Sequence, residues 1–250
     1  MIEREVLILL RKEWRQLVAS RSALATGAFL PFLLLGVLPT VFSFSARAPS
    51  RGHHDPLPPA MQFGLFGEIQ HDLRHFPGAM LPLFVAMVGM ILPTIMATHL
   101  LITERERRTL ELLVALPVRM EQVLLAKLLA TLGASLAMSV PLLILDMILL
   151  PLSGGATLEQ VVALPPLLAA ALALSTSIAL LMSLLATDFR TANNLASSML
   201  APTILATMIG GFLVPGGVVR PLVIALVYSV VATLVARHAL RTVTFERLLS

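Results

Sequence analysis

Residues 103–127 read TERERRTLELLVALPVRMEQVLLAK, a charged island between two long apolar runs. Five of the chain's 18 lysines and arginines stand in it: Arg105, Arg107, Arg108, Arg119 and Lys127. If the flanking runs cross a membrane, the island lies outside the hydrocarbon, because each Arg or Lys at mid-bilayer costs about 2.5–3.5 kcal/mol on the insertion scale. Its basic excess places it on the cytoplasmic side. The island is also helical in pattern: Leu110, Leu113, Val114 and Leu116 recur at helical spacing, and Thr109 is placed to cap them. Pro117 ends that short helix, and residues 118–127 begin the next. A short amphipathic helix held at a membrane face is a handle that a soluble partner can push or pull.

The composition supports the membrane reading. The 250 residues are 57% hydrophobic and 13% charged, with a mean hydropathy of +0.90. Soluble domains carry about 25% charged residues. Half that level, together with apolar runs longer than 18 residues, describes an integral membrane protein. The net charge of +4 does not indicate nucleic acid, because the charges sit at the ends of apolar runs rather than in one patch. Cysteine is absent, which excludes a disulfide framework, a thiolate metal site and a thiol nucleophile. The first apolar run is too long for a cleaved signal peptide and follows a highly charged segment.

Around the island the chain reads as an all-α integral membrane domain, residues 1–250, with six spans. Residues 1–21 form an interfacial helix with Leu7, Leu10, Trp14, Leu17 and Val18 on its apolar face and Arg4, Arg11 and Arg15 flanking the other. The spans are expected at 22–44, 79–102, 128–150, 161–186, 195–214 and 218–236, with a coupling segment at 104–117. Prolines inside them, such as Pro31, Pro39, Pro82 and Pro93, are tolerated where neighbouring groups satisfy the freed carbonyls. Residues 45–77 make the longest polar connection, a Pro-, Gly- and His-rich loop followed by a surface helix on the outer side. Glu68, His71 and His75 share that helix's polar side, a spacing compatible with a weak metal site, although a solvated face is the commoner use. Residues 187–194 are expected to form a tight cytoplasmic turn, and Ser175, Thr176 and Ser177 suit contacts between helices. Asp146 is the one acid of the third span, about one turn from its outer end. It is either a site on a translocation path or a carboxylate that faces water near the interface.

Orientation follows from charge. With both ends inside, fourteen basic residues are cytoplasmic and four, Arg47, Arg51, Arg74 and Arg220, are outside.

The island carries a resemblance as well as a pattern. Glu104-Arg105, Thr109-Leu110-Glu111-Leu112-Leu113, Pro117-Val118 and Lys127 are similar to the signature of ABC-2 type permeases, the membrane subunits of one class of ABC exporters. Residues 187–202 resemble a second stretch of that family, with Asn193 and Asn194 where members often carry Gln. The resemblance implies a coupling helix between the second and third spans that docks on an ATPase through Glu104, Arg105, Arg107, Arg108, Thr109, Glu111, Leu112, Leu113 and Pro117. It further implies a pair of ATPase subunits binding ATP and Mg, a second permease copy, identical or related, and surrounding lipid in the cell (inner) membrane. No cofactor or nucleic acid is expected on this chain.

No phosphate-binding G-x-x-x-x-G-K-[ST], H-E-x-x-H or G-x-S-x-G is present, so the chain is not expected to be an enzyme. Two readings compete with the exporter subunit: an ion-coupled carrier or channel without an ATPase, and a membrane anchor of an assembly complex. The carrier would place charges near mid-bilayer, for which Asp146 is the one candidate.

Overall fold

The computed structural model describes residues 4–19, 21–45, 76–106, 120–185, 189–214 and 216–242, and among these every regular element is a helix. That is what lipid demands of a single chain without a closed barrel, since each N–H and C=O must find a partner inside its own segment. The elements are α1 (Arg4–Ala19), α2 (Arg21–Pro31), a π-helical segment (Phe32–Val37), α3 (Leu38–Ser45), α4 (Phe76–Glu106), α5 (Met120–Ser153), α6 (Leu158–Val162), α7 (Leu164–Leu185), α8 (Phe189–Leu213) and α9 (Val219–Thr242). Among the described residues, four stretches are long and apolar enough to cross a membrane: Gly78–Ala97, Leu125–Ser153, Leu158–Ala179 and Val219–His238. The first and fifth expected spans coincide with shorter apolar stretches, Gly27–Val41 and Ser198–Gly211.

The centre of the bundle is α7. It packs most extensively on α9 and α4 and also meets α8 and α5. Its buried face carries Leu167, Leu168, Ala171, Leu172, Leu174 and Ser175. Small residues let α4 come close: a Cβ placed on Gly89 would fall 2.5 Å from the Ala171 Cβ. One turn further on, Pro93 brings no N–H to the helix. There the Ser175 hydroxyl of α7 donates to the Met90 carbonyl, and Thr94 Oγ1 lies 3.2 Å from Ser175 Oγ. Of the three small polar residues singled out in the fourth span, Ser175 is the one that bonds across helices. Thr176 and Ser177 donate back to Leu172 and Ala173 of their own helix, each at 2.7 Å.

Prolines shape several of the helices. In the first apolar run the Leu38 N–H reaches back to the Leu33 carbonyl, the wider π register. Pro39 follows without an N–H of its own, and its ring disfavours the tighter register against the preceding turn. Thr40 Oγ1 donates to the Gly36 and Val37 carbonyls, at 2.7 and 2.8 Å, closing this loosened turn. Pro165 and Pro166 fall in the first turn of α7, where a missing N–H costs nothing, and a break at Ala163 separates α6 from α7. The turn between α5 and α6 is tighter than a plain loop. Gly154 takes φ +73°, and Thr157 and Gln160 form a reciprocal cap on α6.

Two boundaries differ from expectation. Phe189–Asn194, expected as a turn, is the first part of α8, because no Gly or Pro interrupts it. The second span does not stop at residue 102 but continues helical to Glu106, one turn into the charged island.

Candidate functional site

The island is held between two long helices. α4 runs into it as far as Glu106, and α5 leaves it at Met120. Glu104 and Arg105 therefore lie on the last turn of α4, whose side chains fall outside the described residues. Arg107, Arg108, Thr109, Glu111, Leu112, Leu113 and Pro117 also lie outside them, as do Glu68, His71 and His75. No group of three or more metal-ligating side chains is found among the described residues.

What is described beside the island is a clamp made by the N-terminal helix. α1 packs mainly along α5. Its Glu13 is only 2% exposed, and Glu13 Oε1 stands 3.8 Å from Lys127 Nζ, the last residue of the island stretch, and 3.2 Å from Lys12 Nζ. Two turns further along α5, the Trp14 ring covers Gly133. A Cβ there would sit 2.8 Å from the ring, so the ring rests on bare backbone. The buried line of α1 is thus Val6 and Glu13, with Leu10 partly buried, while Leu7 is 52% exposed and Trp14 38%. The side of α1 that meets α5 is therefore distinct from the face expected to lie in the membrane surface: of that face, Leu7 and Trp14 stay exposed and Leu10 is shared, while the side chains of Leu17 and Val18 fall outside the described residues. Sequence reasoning missed Glu13. The signal was present, since Glu13 falls at helical spacing from Leu10 and Leu17 in an otherwise apolar line. A carboxylate is stable there when cations meet it, and Lys12 and Lys127 do.

Asp146 is the other acid of interest. It lies on the buried side of α5, 0% exposed. Neither carboxylate oxygen has a hydrogen-bond partner. The alternative in which it faces water is therefore overturned. The same side of α5 carries Thr131, Ser135 and Ser139, all buried. Ser139 donates to the Ser135 carbonyl at 2.7 Å, whereas the Ser135 hydroxyl has no partner. α5 thus presents a line of hydroxyls ending in one carboxylate, directed into the bundle rather than at its surface.

The outward faces are apolar. On α5, Ile144, Leu145, Ile148 and Leu152 are exposed, and on α9, Leu226 and Leu234. Exposed aliphatic stripes on long helices describe a protein whose surroundings are hydrocarbon. A family model described as ABC-2 family transporter protein matches residues 7–216, from within α1 to the turn before α9. The chain belongs to the ABC-2 transporter family. It is accordingly a multi-pass membrane component of a transporter and carries no catalytic site of its own. Comparison with curated proteins and with solved structures finds no match. The ABC-2 match ends before α9, yet α9 makes the most extensive helix contact in the bundle, on α7, and belongs to the same packed unit.

Proposed function

We propose that this ABC-2 chain is the permease subunit of an ATP-driven exporter, forming half of a translocation path beside a second permease copy. The observation that carries the reading is the family match across residues 7–216, which spans the whole charged island. The island end of the bundle faces the cytoplasm, and the chain crosses the membrane six times, with the two shorter apolar stretches, Gly27–Val41 and Ser198–Gly211, supplying the first and fifth crossings. The coupling helix lies within residues 104–117 and docks on a separate ATPase subunit, which binds ATP and Mg. Glu104, Arg105, Arg107, Arg108 and Glu111 meet it by charge, and Leu112 and Leu113 by apolar packing. Closure of the ATPase pair moves the island, and α4 and α5, which leave it on either side, tilt with it. Because α1 is clamped to α5 through Glu13, Lys127 and Trp14, the N-terminal helix travels as part of the same body. Asp146 is a path residue, covered in this arrangement and uncovered when α5 tilts.

The test replaces Leu112 and Leu113 with Asp and measures recovery of the ATPase with the permease and ATP hydrolysis by the reconstituted complex. The expected outcome is loss of both. Survival of the complex with unchanged hydrolysis removes the docking role.

A further inference from the structure

Arg220 stands second in α9, at the end of the bundle opposite the island, and the charge count puts it on the outer side, at the start of the sixth expected span. It is the largest fully buried side chain among the described residues, 1% exposed. Its Nη1 donates to the Ala79 carbonyl in the first turns of α4, at 3.2 Å. Its Nη2 donates to the Val214 carbonyl just past the end of α8, also at 3.2 Å. The Val214 carbonyl, at the C-terminal end of α8, carries the negative end of that helix's dipole and accepts well from a cation, whereas the Ala79 carbonyl, in the first turn of α4, accepts from it without that help. One guanidinium therefore joins the ends of α4, α8 and α9.

The neighbouring turn of α4 is tied in the other direction. The Gly78 N–H donates to the Gly155 carbonyl of the turn after α5, at 3.1 Å. A Cβ on Gly78 would fall 2.4 Å from that oxygen, so the two backbones touch. The two ties differ in kind. Gly78–Gly155 joins α4 to α5, the two helices that leave the island. The Arg220 bonds join α4 to the α8 and α9 pair, which is held together further along by the Thr207 to Tyr228 hydroxyl contact. If α4 and α5 tilt as one body, the first tie travels with them and the second must break.

We infer that Arg220 is the releasable clasp of the outer gate, a positioning residue that holds α4 against α8 and α9 in the closed state and lets go when α4 and α5 tilt. The inference rests on the reading of the island as the driven element. A buried guanidinium suits release. Burial costs it hydration, and its contacts, the two carbonyl bonds among them, offset that cost while the gate is shut; on opening, water replaces the carbonyls. The two arrangements are therefore close enough in free energy for a drive at the far end to select between them.

The chain contains no cysteine, so one can be placed as a reporter without background. Ala79→Cys is buried at the clasp when the gate is shut. Its modification by a membrane-impermeant maleimide is measured on the purified chain in nanodiscs without nucleotide. With Arg220→Gln the labelling rate is expected to rise about tenfold, the change that ~1.4 kcal/mol of lost closure corresponds to. Arg220→Lys, which keeps the charge but offers no planar fork to two carbonyls, is expected to fall between. Gly89→Ala serves as the control for general loosening, since it disturbs the α4–α7 contact away from the clasp. The inference is overturned if the Arg220→Gln protein labels at the rate of the Arg220 protein, or no faster than a Gly89→Ala protein with the same loss of thermal stability. A separate arm adds the ATPase and a non-hydrolysable ATP analogue to the Arg220 protein. Unchanged labelling there refutes the ATP drive, while the clasp is judged on the nucleotide-free rates alone.

Discussion

Lys127→Ala tests whether α1 and α5 behave as one body. Lys127 Nζ and Glu13 Oε1 are 3.8 Å apart, and both side chains are largely withdrawn from water, at 14% and 3% exposure. At an effective dielectric constant of about 20, two unit charges at that separation attract by roughly 4 kcal/mol before desolvation is subtracted. Lys12 also meets Glu13, but its side chain is 41% exposed and solvent screens it, so it replaces little of what Lys127 supplies. Removing the lysine takes from Glu13 its more buried cation and leaves it with the exposed Lys12 and its other contacts, a change that costs up to about 3 kcal/mol, the lower end for breaking a buried pair. α1 has an easier escape: it can lift from α5 and hydrate Glu13, and a loss of about 3 kcal/mol shifts that equilibrium by more than a hundredfold. The chain has a single tryptophan, Trp14, and its ring lies on Gly133 of α5, so its fluorescence reports docking directly. The expected result for Lys127→Ala is a red-shifted emission and greater quenching by iodide. Glu13→Ala is expected to do less, since Lys127 can reach water. The double variant is expected to lie closer to Glu13→Ala than to Lys127→Ala, showing that the pair is coupled. Identical emission and quenching in all four proteins would refute the clamp.

Gly89→Ala places a methyl 2.5 Å from the Ala171 Cβ and should cost about 1–3 kcal/mol by overpacking, seen as a lower Tm in detergent. Gly210→Ala, where nothing lies within 4 Å, should leave Tm almost unchanged. Ser175→Ala removes the hydroxyl that bonds to the Met90 carbonyl and should cost only about 0.6 kcal/mol, the mean for such bonds between membrane helices. Asp146→Leu should hold or raise Tm, because neither carboxylate oxygen has a hydrogen-bond partner to lose, and should lower transport by the reconstituted complex. A variant with lower Tm and full transport would remove Asp146 from the path.

The parts legible in the sequence are those that depend on one segment at a time. The apolar runs around residues 103–127 disclose α4 and α5 because a span needs only length and low charge, and both are local properties. Which side of each helix is buried is another matter. α4 is apolar on nearly every side, so its pattern does not distinguish the side that meets Ala171 from the side that does not. Glu13 shows the difficulty more sharply. Counted as polar, it belongs on a solvated side of α1; counted as half of an ion pair, it belongs inside, and Lys127, which it meets there, is in a different helix. Arg220 follows the same logic. A basic residue at the outer end of an expected span reads as reaching water until the Val214 and Ala79 carbonyls, brought close only by the packing of α4, α8 and α9, give the guanidinium somewhere drier to go. In a bilayer, charges inside the bundle are stable only as members of pairs or clasps. Such contacts hold the helices in register, and because each joins residues far apart in the chain, segment-by-segment reading misplaces the charged residues that fix one helix against another.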